Sequence, residues 1–136
     1  MAELWDTSAL IVAMRRDEAR RELADALAGD DVAITESITL EYLNGARTLE
    51  EYDRDRARLG AFRQVVTVPS DWQRALDVHR RLAASGAGHQ RSVQLVDLVT
   101  AAAAERVGFA VVHVDQDYER IAAITGQPVR RLPWTG

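Results

Sequence analysis

The sequence predicts an α/β protein built on an open, mostly parallel sheet of four to five strands with helices on both faces. Three observations lead there. Short apolar runs alternate along the chain with longer segments in helical spacing, the order that crossovers between parallel strands impose. The 136 residues fit one domain spanning 1–136, with neither an internal repeat nor a linker. A composition of 47% hydrophobic and 28% charged residues supplies an ordinary globular core and carries no signature of disorder.

The first apolar run, Ala2 to Asp6, reads as a strand that ends abruptly at Asp6-Thr7-Ser8. From Ala13 to Ala28 the residues Ala19, Leu23, Ala26 and Leu27 recur at helical spacing, and Gly29-Asp30-Asp31 stops that helix. Val32-Ala33-Ile34 is the next strand, after which Thr35 or Ser37 caps a helix carrying Ile38, Tyr42 and Leu43 that ends at Asn44-Gly45. A charged helix from Leu49 to Leu59 precedes Val65-Val66-Thr67-Val68, a buried-strand pattern closed by Pro69. Ser70 or Asp71 then caps a helix bearing Trp72, Leu76 and Val78 to Leu82, and Ser85-Gly86-Ala87-Gly88 makes a flexible loop suited to substrate access. Val93 to Val107 is a helix with four consecutive alanines, a composition that permits close approach to neighbours, ended by Gly108. Phe109 to Val114 follows as a strand. Asp115-Gln116-Asp117 opens a short helix through Tyr118, Ile121 and Ile124, and beyond Gly126 the run Pro128 to Leu132 adds an edge strand.

Composition removes several classes of chemistry. With no cysteine there is no thiol nucleophile, disulfide or Cys-ligated metal. The chain also has no lysine, so all 17 basic side chains are arginines, which excludes a Schiff-base mechanism and a P-loop. A net charge of −4 gives no bulk attraction to nucleic acid or anionic lipid, so a nucleic-acid role requires a local site. The start of the chain carries Glu3 in place of a basic signal-peptide opening, and no apolar run approaches the roughly 18 residues of a membrane span. The expectation is a cytoplasmic protein without membrane contact.

In an open parallel sheet ligands bind beyond the carboxyl ends of the strands, where strand order reverses. Asp6 ends the first strand and Asp115 follows the strand Phe109 to Val114, so the two carboxylates share a rim if those strands are neighbours. Glu41 sits one turn from Ile38 and beside Tyr42, and Asp97 interrupts Leu95-Val96-Asp97-Leu98-Val99, which turns both acids toward the sheet. Four converging carboxylates repel unless a cation neutralises them. Mg²⁺ or Mn²⁺ takes oxygen ligands and works against phosphate, so the pattern points to phosphodiester chemistry.

At these residues the chain resembles the PIN-domain ribonucleases, and within them the VapC toxins. The resemblance rests on Asp6-Thr7-Ser8-Ala9-Leu10, on Glu41 in Leu40-Glu41-Tyr42-Leu43-Asn44-Gly45-Ala46, on Asp97-Leu98-Val99-Thr100-Ala101-Ala102-Ala103, and on Val114-Asp115-Gln116-Asp117-Tyr118-Glu119-Arg120-Ile121. It covers essentially the whole chain, and the ordered set is more specific than any one motif. It implies a PIN-like fold and an endoribonuclease dependent on Mg²⁺ or Mn²⁺, the toxin of a type II toxin–antitoxin pair, blocked by a VapB-like antitoxin and assembled as a homodimer. Asp6, Glu41, Asp97 and Asp115 take the family's four acidic positions as catalytic residues, with Asp6, Asp97 and Asp115 on the metal. Ser8 and Asp117 match supporting positions. His113 departs from the Thr, Ser or Asn that usually stands two residues before the fourth acid.

Other residues read as structural. His79, His89 and His113 lack zinc or triad spacing, and His113, among valines, is a core histidine. His89 and Arg91 are placed to touch RNA phosphate. Arg15, Arg16, Arg20 and Arg21 lie among Asp17, Glu18 and Glu22 as a solvated helix face, while Trp72 and Trp134 are packing residues. A dehalogenase-type phosphatase needs an acid where Ser8 stands, and a phospho-receiver domain needs a lysine. The alternative from a different class is a non-catalytic PIN-like domain that binds RNA or protein.

Overall fold

The computed structural model describes residues 1–135. Five parallel strands form one sheet in the order β3-β2-β1-β4-β5, with β1 at Glu3–Trp5, β2 at Val32–Thr35, β3 at Arg63–Val65, β4 at Ala110–His113 and β5 at Val129–Arg131. The chain winds from β1 through β2 to β3 on one side, then returns to the other side for β4 and β5. That reversal puts the switch point at β1 and β4, which pair with Leu4 opposite Val111 and Trp5 opposite Val112. The adjacency needed to bring Asp6 and Asp115 to one rim is therefore present.

Apolar burial explains the sheet. Every residue of β2 is buried, and alternate residues of a strand face opposite ways, so both faces are covered. Leu4, Trp5, Ile34, Ile38, Val111, Val112, Tyr118 and Ile121 make the fully buried centre. On α6 (Leu95–Val107) the four alanines Ala101 to Ala104 are buried, and Ala103 reaches Ala33 and Val65 in a second small apolar cluster.

The elements depart from the sequence expectations in three places. The stretch expected as one helix from Ala13 is two: α1 runs Thr7–Arg15 and α2 runs Asp17–Ala28, with Arg16 extended between them at φ −122, ψ 124. Asp17 and Glu18 favour a new helix start there by opposing the macrodipole, and the break lets α1 bury Leu10, Val12 and Ala13 while α2 buries Ala19. The third strand lies earlier than expected, at Arg63–Val65, because its partner β2 sets the register through Ala33 opposite Arg63 and Thr35 opposite Val65. Val66 is consequently 63% exposed.

Pro69 does not close a strand; it opens α5 (Pro69–Ser85) at a position where its missing N–H costs nothing. Val68, not Ser70 or Asp71, is the cap residue. Its N–H donates to Asp71 Oδ2 at 2.9 Å, and Asp71 also receives Arg106 Nε at 2.9 Å. Trp72 is 58% exposed and is not the packing residue the sequence suggests, whereas Trp134 does pack on the core. The remaining helices are α3 (Glu36–Leu43), α4 (Leu49–Leu59) and α7 (Gln116–Thr125). No helix of the described residues is long and apolar enough to cross a membrane.

Candidate metal centre

Each acid at the rim is placed by a local backbone feature. Asp6 follows β1 and caps α1: its Oδ2 accepts the Ser8 N–H at 3.0 Å and the Ser8 hydroxyl at 2.7 Å. The same hydroxyl accepts the Val114 N–H at 3.1 Å, so Ser8 joins the ends of β1 and β4 behind Asp6. Asp115 caps α7 and accepts the Asp117 N–H at 3.0 Å. Asp117 in turn accepts the Gln94 N–H at 2.9 Å, fastening α7 to the start of α6. Asp97 lies in the first turn of α6, and Glu41 is half-buried on α3.

A chain of hydroxyls holds α3 against α6. Thr100 donates to the Val96 carbonyl at 2.9 Å, so it accepts from Ser37 at 2.6 Å, and Ser37 accepts from Thr35 at 2.8 Å. This runs from the end of β2 to the helix carrying Asp97 and fixes the approach of Glu41 to it.

The four predicted acids converge. Asp6, Glu41 and Asp97 offer carboxylate oxygens within 4.8 Å of one another, and Asp97 shares a second group of the same span with Asp115 and Asp117. Asp97 belongs to both. It is 3% exposed, and its carboxyl is pushed up to about 9, first by burial and then by the charge of Asp6. Burial, followed by the charge of Asp6, also raises Glu41. Asp97 Oδ2 and Glu41 Oε1 are buried without a hydrogen-bond partner. Two orphaned acceptors inside a group of mutually repelling carboxylates fit a hard divalent cation, whose charge offsets the repulsion and whose ligands are oxygens.

Tyr118 was not legible as part of this group. In the sequence it is one more apolar position on α7, yet its buried hydroxyl lies 2.7 Å from Asp6 Oδ1 and 3.2 Å from Asp97 Oδ1. The chemical signal was a tyrosine three residues after a helix-capping acid, where a phenylalanine would pack equally well. His113 is buried as expected but only half satisfied: its Nδ1 accepts the Asp115 N–H at 3.1 Å and its ring lies 5.4 Å from that of Tyr118, while Nε2 has no hydrogen-bond partner. Burial lowers its pKa, with Arg131 adding to the effect.

His89 and Arg91 lie outside the group, on an exposed 3₁₀ turn spanning His89–Ser92. His89 folds back on α5, with Nδ1 3.0 Å from Ser85 Oγ, and its ring occupies the space a side chain at Gly86 would need. The glycine loop is thus tied to the helix it follows. Of the arginine group, Arg20 pairs with Asp17 and Arg16 with Glu18, the solvated arrangement expected.

An acid-lined switch point of this kind suits a metal-dependent nuclease, and residues 4–124 match the PIN domain family model. The chain belongs to that family. Within it the chain is 43% identical to Ribonuclease VapC18 of Mycobacterium tuberculosis over 123 residues, 90% of this chain and 89% of that one. Ribonuclease VapC51 of the same organism is 38% identical over 125 residues, 92% and 88% of the two chains. The chain is therefore a member of the VapC ribonucleases. Among solved structures, VapBC2 of Rickettsia felis bound to a promoter DNA fragment superposes with a TM-score of 0.78 at 14% identity, over 97% of this chain and 99% of that one. VapBC-5 of Mycobacterium tuberculosis gives 0.67 at 24% identity, over 96% and 98%.

Proposed function

We propose that this protein is a VapC-type toxin that cuts RNA internally, using Mg²⁺ or Mn²⁺ held by Asp6, Asp97 and Asp115. The observation that carries the reading is that Asp97 joins two carboxylate groups, one with Asp6 and Glu41 and one with Asp115 and Asp117, with Asp97 Oδ2 and Glu41 Oε1 left without hydrogen-bond partners. A divalent cation held there would supply charge against the phosphate and lower the pKa of an attacking water. Ser8 holds Asp6 in orientation, Asp117 fixes α6 against α7, and Glu41 completes the acidic wall with Oε1 unpaired. Arg91, exposed on the turn that leads into α6, offers a guanidinium to RNA phosphate, with His89 beside it.

The solved relatives are VapBC complexes, which supports a VapB-like antitoxin as partner and a homodimeric toxin. A segment that places arginine among the carboxylates suits the charge of the site. The test is cleavage of total RNA by the purified protein with Mg²⁺ or Mn²⁺, with EDTA and an Asp6→Asn, Asp97→Asn double variant as controls. Discrete fragments lost in both controls are expected. A folded wild type that binds RNA and cuts none under either metal would instead identify a binding domain.

A further inference from the structure

Tyr118 is fully buried, and its hydroxyl turns to carboxylates and not to the backbone. Its two partners are carboxylates from separate elements, Asp6 after β1 at 2.7 Å and Asp97 on α6 at 3.2 Å. A tyrosine serving only to fill the core would turn its hydroxyl to a carbonyl or to solvent. The ring is supported by His113 at 5.4 Å, whose Nδ1 accepts the N–H of Asp115. One side chain thus touches two of the acids assigned to the cation and leans on a residue bonded to the third. Asp6 is fixed at both oxygens, Oδ2 by Ser8 and Oδ1 by Tyr118. Asp97 is contacted at Oδ1 alone, which leaves Oδ2 without a protein partner.

We infer that Tyr118 is a positioning residue of the metal centre, its hydroxyl spanning Asp6 and Asp97 so that the free oxygen of Asp97 is presented to the cation. The inference rests on the metal reading above. Such supporting partners are worth about 10–100-fold in metal affinity.

The experiment is Mn²⁺ titration calorimetry on wild type and Tyr118→Phe, with thermal unfolding of both metal-free proteins and kcat and KM for RNA cleavage. The expected result is Mn²⁺ affinity lower by about 10-fold in Y118F, a lower kcat at unchanged KM, and a metal-free protein that still unfolds in one cooperative transition, at a lower temperature than wild type because the buried carboxylates lose a donor. Equal Mn²⁺ affinity in the two proteins overturns the role of Tyr118 and leaves the metal reading standing. No Mn²⁺ binding by wild type overturns the metal reading itself, and this inference with it. A second measurement serves if Y118F does not fold. In a Tyr42→Phe, Tyr52→Phe protein, Tyr118 is the one tyrosine left of three. Its ultraviolet resonance Raman doublet, which reports phenol hydrogen bonding, should change when Mn²⁺ is added, and an unchanged doublet in a protein that binds Mn²⁺ refutes the contact.

Discussion

Asp97 keeps a raised carboxyl, at about 9, because burial and the Asp6 charge act on it together. Unfolded, the same group titrates near 3.9. Between those values the folded protein holds a proton that the unfolded chain has released, so this residue's contribution to stability is full below about 4 and is lost as pH rises toward 9. The slope cannot exceed about 1.4 kcal/mol per pH unit. Asp97→Asn removes the titration. In EDTA the variant should therefore be more stable than wild type by a margin that widens from pH 5 to pH 8, read by chemical unfolding at each pH. A constant margin would mean that Asp97 is already ionised in the metal-free protein. With Mn²⁺ present the order should reverse, since wild type gains the binding energy and the variant does not. Ser8 acts through geometry alone: Ser8→Ala removes the donor to Asp6 and leaves the Val114 N–H unpaired. Loss of about 1–3 kcal/mol of stability and about 10-fold in Mn²⁺ affinity is expected. Unfolding and calorimetry measure the two separately.

At the level of elements, α5 is anchored by one buried acid. Asp71 is 1% exposed and accepts Val68 N–H at 2.9 Å and Arg106 Nε at 2.9 Å, joining the start of α5 to the end of α6. Asp71→Ala should cost about 2–4 kcal/mol in guanidinium unfolding without changing cleavage per folded molecule, because the residue lies outside the acidic group. A cost below about 0.5 kcal/mol, the range of an ordinary surface change, would show that Arg106 and the helix start need no such tie. The alternation of elements, the caps at Thr35 and Asp115 and the glycine stops were legible because each is a local property. The break at Arg16 was not, since Ala13 to Ala28 keeps helical spacing throughout, and the acids Asp17 and Glu18 mark a helix start only once packing divides the segment so that α1 and α2 bury separate faces. The valine run after Val65 read as buried strand, but pairing with β2 ends at Val65 and leaves Val66 in solvent. The acids were legible for different reasons: Glu41 and Asp97 because a carboxylate inside an apolar stretch has no inexpensive structural use, Asp6 and Asp115 because they stand where strands end. Tyr118 was hidden by its own apolar ring.

For the whole molecule, a net charge of −4 and five carboxylates at one rim oppose RNA unless a cation changes the local sign. Binding and metal should therefore be linked even where chemistry is blocked. Glu41→Gln keeps Asp6, Asp97 and Asp115 in place and suits the measurement. Its affinity for a short fluorescent RNA should rise by at least about tenfold, or 1.4 kcal/mol, on going from EDTA to Mg²⁺. In Mg²⁺ it should fall with salt by about 0.7 log units per decade for each phosphate contacted. Arg91→Ala should flatten that salt slope by about one such contact while leaving the EDTA value unchanged. Equal RNA affinity in EDTA and Mg²⁺ would mean that the strand does not meet a cation at the acids. A metal-dependent affinity that Asp97→Asn abolishes would place it across the ends of β1 and β4, where the reversal of strand order gathers the carboxylates.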